Sequence, residues 1–433
     1  MSIAFAVSRR IILIAVGSAT LCGMPAYLQA ATWMVKPGES IQAAIDQAAV
    51  GDTVEVQRGH YAENLRIDKT LTLRGINRPT ISGGLQGNTI EVRATAVVLE
   101  GLLVTDSGAS LRDQNAGIYI YPGSDKAIVR YCGVSTSLFG LWIEKANDVL
   151  IEGNNITGKR ELNSPQRGNG IQLYNTQRAR ITHNEVSFVR DALYVDVSHD
   201  AIFRSNKLHH SRYGTHYMNS YRNLWEDNDV WMNRGGLALM EVRNQTVRNN
   251  RVWSNSDHGI MLRTIQQAVV ENNVVAGNAR GFFIYDAEYN TVNDNLIVDN
   301  VVGVHLWAGS KNNEVEGNSL IFNRDQVRYV GARDMVWGEK RGNYWSNYVG
   351  WDRDGDGIGD VPYEANDIAD RLLWQYPMMK LLLASPAVQT LKLAGQQFPL
   401  LRAPSVVDPN PHMKPYHDNW RQWLGKFFPG SRE

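Results

Sequence analysis

Residues 247–275 read VRNNRVWSNSDHGIMLRTIQQAVVENNVV, and the match between their two ends decides the fold. The opening VRNNRV and the closing VENNVV are copies of one pattern, apolar-x-x-Asn-x-apolar, separated by a strand-like run behind a glycine. Outward from here the pattern recurs as IEGNNI, ITHNEV, FRSNKL, WEDNDV, VNDNLI and VEGNSL. The asparagine in register falls at Asn154, Asn184, Asn206, Asn228, Asn250, Asn273, Asn295 and Asn318. Every step is 22 or 23 residues except the first, of 30, where residues 158–168 (GKRELNSPQRG) read as an inserted loop.

A second column runs beside the first: GIYIY, GLWIE, GIQLY, ALYVD, GTHYM, GLALM, GIMLR, GFFIY and GVHLW, from Gly117 to the run at Gly303. Each repeat thus holds two or three short strands and turns, with no room for a ten-residue helix. Such a unit cannot bury its apolar face alone, so successive coils must stack on a shared core. This predicts an all-β, right-handed parallel β-helix; a leucine-rich repeat would need a leucine signature that is missing. The asparagines should form an internal ladder, and Cys132, in register within VRYCGV, should be a buried thiol. Ser40 is placed to cap a helix over 41–49 that plugs the first coil. DTVEV, TLTLRG and TIEV follow as strands, and the period should end near Phe322. The domain reading is a leader at 1–30, cap and first coils at 31–98, repeats at 99–342, an acidic loop at 343–365 and a helix with an extended tail at 366–433.

The 433 residues carry 44 Lys+Arg and 44 Asp+Glu, a net charge of zero, so nothing in the overall charge argues for nucleic acid or an anionic membrane surface. Arg9 and Arg10 precede an apolar run at 11–21 and small residues up to Ala30 and Ala31, the layout of an export signal cleaved after Ala30. The run is too short to span a bilayer of roughly 30 Å, and Ser8-Arg9-Arg10 leaves a twin-arginine route open. Loss of Cys22 with the leader would leave Cys132 alone, which excludes an intramolecular disulfide and a thiolate-pair metal site.

Period-two alternation turns the second and fourth residues after each glycine outward. One outward column then reads Tyr119, Trp142, Gln172, Tyr194, His216, Ala238, Met261, Phe283 and His305; the other reads Tyr121, Glu144, Tyr174, Asp196, Met218, Met240, Arg263, Tyr285 and Trp307. A row of aromatic and methionine side chains facing water would be an interaction surface. His216 and Met218 share a strand roughly 6.8 Å apart, and Met240 stands roughly 4.8 Å from Met218 on the next coil, with Met261 beyond. Thioether and imidazole are soft donors suited to Cu(I); the competing reading is a methionine patch covered by a partner or a loop. Glu144 and Asp196, roughly 9.6 Å apart at strand spacing, approach the carboxylate gap of inverting glycoside hydrolases. With Tyr174, Tyr194 and Trp142 nearby, that pair supports a polysaccharide-active lyase, hydrolase or epimerase as the alternative; no DPHD-type epimerase motif occurs. A non-catalytic scaffold is the third reading.

After the coils comes GNYWSNYVGWDRDGDGIGDVPY. Asp352, Asp354, Asp356 and Asp360 with Gly357 match the first half of an EF-hand loop, but Tyr363 stands where the bidentate glutamate belongs. The reading there is divided between a calcium site and a loop held by its own hydrogen bonds. The tail holds a short helical stretch broken at Pro377, then a run of prolines, and reads as a docking segment, with Trp374, Met378, Met379, His412 and Met413 as its contact residues.

Taken together, the export signal, the asparagine coils, the NYW…DxDGDGIGDxPY segment and the proline-broken tail resemble the NosD family. The resemblance covers essentially the whole chain, and the segment after the coils is its most specific part. It implies a β-helix of carbohydrate-binding type in non-catalytic use, located in the periplasm and held at the inner membrane by the ATPase and permease subunits of an ABC transporter. It further implies copper as cofactor or cargo, a copper chaperone as a partner, a role in maturing the copper sites of nitrous oxide reductase, and contact between the tail and the permease.

Overall fold

The computed structural model describes residues 30–365 apart from 308 and 332, residues 405–426, and between these only 378, 382, 385–388 and 390. The expected export signal at 1–29 lies outside the described residues, as do Trp374 and Met379. Among the described residues no helix is long and apolar enough to cross a membrane.

Three parallel sheets wrap a single core, as the repeat predicts. The first face has 13 strands, from Thr32–Val35 to Glu314–Glu316; the second has 13, from His60–Ala62 to Tyr344–Trp345; the third has 12, from Leu65–Ile67 to Asp325–Tyr329. Strands on the first and second faces are mostly three residues long, whereas the Gly-led strands of the third reach nine at Gly235–Arg243 and His258–Gln266. Inside, branched aliphatic side chains dominate, with Phe203 and Trp225 stacked at 4.0 Å in mid-solenoid. The head of each Gly-led strand has almost no room: a Cβ on Gly236 would stand 2.3 Å from the Gly259 carbonyl oxygen.

The asparagine ladder holds the turn between the first and second faces. Asn206 donates both its backbone N–H and its Nδ2–H to Asn228 Oδ1, 3.0 Å each. Its Nδ2 also donates to the Ile181 carbonyl at 2.8 Å, so each buried amide satisfies the turn beside it. The residue before each rung takes a positive φ (His183 57°, Ser205 55°, Asp227 56°, Asn249 57°), which suits the small and polar types found there. Cys132 N–H donates to Asn154 Oδ1 at 2.9 Å, and burial pushes its thiol up to about 11, so the register predicted for this cysteine is correct.

The ladder runs past the expected end near Phe322. Asn318 donates to Asn343 of the NYW segment, and Asn343 N–H donates to Asp408 Oδ2 at 2.8 Å, which ends the column. The last step is 25 residues, from Asn318 to Asn343, because the chain between the strand Asp325–Tyr329 and Asn343 is longer than in earlier coils, while the hydrogen-bond repeat continues. A second ladder, Asn233, Asn255, Asn278, Asn300 and Asn323, lines the entry to the third face.

At the N-terminal end α1 (Ile41–Gln47) buries Ile41 and Ile45 over the first coil, and Ser40 Oγ accepts Ala43 N–H as its cap. At the other end residues 405–426 return to the solenoid. Val406–Asp408 joins Met335–Val336 and Tyr363–Glu364 in a small sheet. The chain then runs back along the second face, setting Trp420 against Phe322 and Trp423 against Trp253.

Candidate metal centre on the third face

The register aligns the outward columns as expected: Tyr194, His216, Ala238, Met261, Phe283 and His305 are successive partners. Asp196 pairs with Met218, and Met240 with Arg263. The strand ending at Met218 pairs with the next coil up to Tyr217 and Leu239, so Met218 and Met240 are neighbours in the column. The inward alternates Tyr217, Leu239 and Leu262 are fully buried, while His216, Met218, Met240 and Met261 are half-buried. Ala238 lies outside the core yet is 0% exposed. An outward alanine with no exposure must be covered by the longer side chains around it, and the four soft-donor residues stand on that rim.

His216 is held from behind. Its Nδ1 lies 3.2 Å from Asp191 Oδ2, while Arg212 Nε donates to Asp191 Oδ1 at 2.8 Å. Burial pushes the Asp191 carboxyl up, but hydrogen bonds from His216 and Arg212 outweigh it and hold the group below the ordinary carboxylate range. His216 Nε2 makes no hydrogen bond among the described residues. An imidazole oriented by a carboxylate at one nitrogen and open at the other is the arrangement metal-ligating histidines adopt. Sequence reasoning missed Asp191 and Arg212; the signal was an arginine two residues before the Ala- or Gly-led run, in Arg190-Asp191 and Arg212-Tyr213.

The N-terminal end of this face departs from expectation. Tyr119, Trp142 and Gln172 are 6%, 7% and 7% exposed, so the row of aromatics is not open to water there. Tyr119 and Tyr121 stack at 4.2 Å, Phe139 meets Trp142 edge-on at 5.0 Å, and the insertion brings Gly168 against the Phe139 ring. Rings that cover one another in this way form a small outer core. Glu144 and Asp196 sit two coils apart with Tyr174 between, as predicted, but both are engaged. Glu144 accepts the Tyr119 hydroxyl at 2.7 Å and pairs with Lys145 at 3.5 Å; Asp196 accepts Asn219 Nδ2–H at 3.1 Å.

In the acidic loop, carboxylates of Asp352, Asp354 and Asp356 come within 4.8 Å of one another. Asp352 already accepts the N–H groups of Gly355 and Gly357 at 2.7 and 2.9 Å, Asp356 accepts Ile358 N–H, and Asp360 accepts Arg353 N–H at 2.8 Å. The tail clamps this loop: Gly359 N–H donates to the Pro411 carbonyl, and Met413 N–H to the Gly357 carbonyl. His412 Nδ1 lies 2.7 Å from the Lys414 carbonyl, with its ring against Tyr416. His412 and Met413 are therefore packed into this chain's own last coil; Met378 is 77% exposed.

Comparison with known proteins bears on the family and the fold. Residues 152–350 match the family described as "Periplasmic copper-binding protein (NosD)". The chain is 36% identical over 371 residues to a protein of Pseudomonas aeruginosa named "Probable ABC transporter binding protein NosD", covering 82% of this chain and 87% of that one. A protein of the same name from Stutzerimonas stutzeri is 35% identical over 372 residues, covering 82% and 85%. Among solved structures, the Streptococcus pneumoniae surface adhesin PfbA superposes with a TM-score of 0.54 at 11% identity, over 69% of this chain and 97% of that one. The Dettilon tailspike superposes at 0.52 and 12% identity, over 67% and 69%. These two share the β-helix fold and nothing more specific. With its coils, its ladder and more than four-fifths of its length matched by relatives at this identity, the chain belongs to the NosD family.

Proposed function

We propose that this protein is a periplasmic accessory of an ABC transporter that binds Cu(I) on its third face and hands it on toward the copper sites of nitrous oxide reductase. The observation that carries the reading is the register that sets half-buried His216, Met218, Met240 and Met261 around a fully buried Ala238. Imidazole and thioether donors without a paired thiolate favour Cu(I) over harder ions. The thiol of Cys132 is buried and held protonated, so it offers no competing site. The names of the relatives support the transporter association, and the family description supports copper and the periplasm. An ATPase and permease pair, a copper donor upstream and the reductase downstream complete the reading, in which copper is cargo. The C-terminal segment joins the permease through what its own packing leaves exposed.

The test is a Cu(I) competition titration of the purified protein beside the His216→Ala, Met218→Leu double variant. Stoichiometric binding lost in the variant supports the proposal. Equal binding by both moves the site elsewhere, and no binding by the wild type overturns copper handling and leaves a docking scaffold.

A further inference from the structure

One buried imidazole near this face has a ring nitrogen, Nε2, with no partner among the described residues. His258 opens the strand after Gly235–Arg243 and is 0% exposed, yet neither ring nitrogen makes a hydrogen bond. Its nearest charged neighbour is Asp257, whose Oδ2 lies 3.6 Å from Nδ1, beyond hydrogen-bond length, and Asp257 is itself paired with Arg280. Native proteins rarely leave a buried polar atom unsatisfied, and an exception calls for an explanation.

The ring is aimed at a specific place. In register with His258, one coil earlier, stands Gly235. A Cβ on Gly235 would come 2.6 Å from both Cε1 and Nε2 of His258, and 2.6 Å from Tyr213 Cδ1. Gly235 does not have a positive φ, so the backbone does not demand glycine; the space above it does. The Nε2 edge of His258 therefore packs against Gly235, in the space a side chain there would fill, with the Tyr213 ring closing over it.

The arrangement repeats that of His216. In each case Nδ1 faces an aspartate gripped by an arginine, Asp191 with Arg212 and Asp257 with Arg280, and Nε2 is left over. The Tyr213 ring lies between them, 5.6 Å from His216 and 5.7 Å from His258 between centroids, and its hydroxyl makes no hydrogen bond among the described residues. Met261 follows His258 by three residues on the same strand. Burial lowers the pKa of His258 against the pull of Asp257, the direction that favours the neutral ring a metal requires.

We propose that His258 Nε2 is an inner Cu(I) ligand beside Met261, reached when the Tyr213 ring moves aside, a proposal that rests on the third face being a Cu(I) site. The experiment follows imidazole nitrogens of the 15N-labelled protein as Cu(I) is added without oxygen, with His258→Gln used to assign the resonance. At one equivalent the His258 Nε2 signal should shift, and His258→Gln should weaken Cu(I) by more than the roughly 10–100-fold typical of losing an outer-shell partner. A His258 signal unmoved at saturation, while that of His216 shifts, overturns the inner ligand and leaves the surface site intact. No Cu(I) uptake by the wild type removes the reading of the face itself. Should His258→Gln fail to fold, the wild-type spectrum, assigned by through-bond correlation, still decides.

Discussion

The molecule gathers ligand-type side chains in two places, and the two differ in what those side chains already hold. Around Ala238 the donors are soft and half-buried, and His216 leaves one nitrogen open while its other faces a buried carboxylate. In the loop at 352–360 the donors are hard and mostly exposed, and oxygens of Asp352, Asp356 and Asp360 are spent on the loop's own N–H groups. The loop has what it needs to stay shaped without an ion. The histidine cluster has a nitrogen that no described group of the chain uses, and this asymmetry is why the third face rather than the acidic loop is read as the metal site.

The comparison breaks first at Asp191. Asp191→Asn leaves Arg212 without its buried counter-charge, which should cost about 3–5 kcal/mol in urea unfolding. It should also cut Cu(I) affinity about 10–100-fold by freeing the His216 ring. A stable variant with unchanged affinity would mean that the carboxylate orients nothing. Next, Met218→Leu with Met240→Leu keeps the apolar volume and removes two sulfurs. Stability should shift by less than about 1.5 kcal/mol while Cu(I) affinity in a competition titration falls by a clear margin.

A third histidine sharpens the contrast. His305 lies in the same column but two coils beyond Met261 with Phe283 between, and its Nε2 accepts Trp307 Nε1–H at 2.8 Å, so His305→Gln should leave Cu(I) affinity unchanged. Burial, with Arg280 and Arg328 nearby, holds its pKa down to about 4, against about 6.5 when unfolded. Between those values the unfolded chain binds the extra proton, so stability falls as pH drops from about 6.5 to about 4. The Tm–pH curve of His305→Gln should be flatter in that window. The smallest effect is expected at the loop: 1 mM calcium should stabilise the wild type by about 0.4 kcal/mol or less, the limit for a Kd of 1 mM or weaker. A larger rise in Tm that Asp354→Asn abolishes would restore a calcium site there.

The fold was legible because the structure repeats what the sequence repeats. Each Asn in register is a rung, and each alternating residue behind a glycine took the side of the sheet that period two assigns it. The column positions of His216, Met218, Met240 and Met261 followed directly. Asp191 and His258 were not legible, because they stand at turns opening strands, where alternation does not set the direction of a side chain. Exposure of Tyr119 and Trp142 was misjudged because alternation says which side of the sheet a ring takes and nothing of how neighbouring rings cover it. The return of residues 405–426 was equally hidden: Trp420 and Trp423 lie in a stretch without periodicity, and only tertiary packing gives them a place.

X-ray absorption at the copper edge of the Cu(I)-loaded protein tests the central claim most directly. The account predicts a first shell with both thioether sulfur and imidazole nitrogen, its sulfur component lost in the Met218→Leu, Met240→Leu variant. A shell of oxygen and nitrogen alone, or one indifferent to those substitutions, would contradict it.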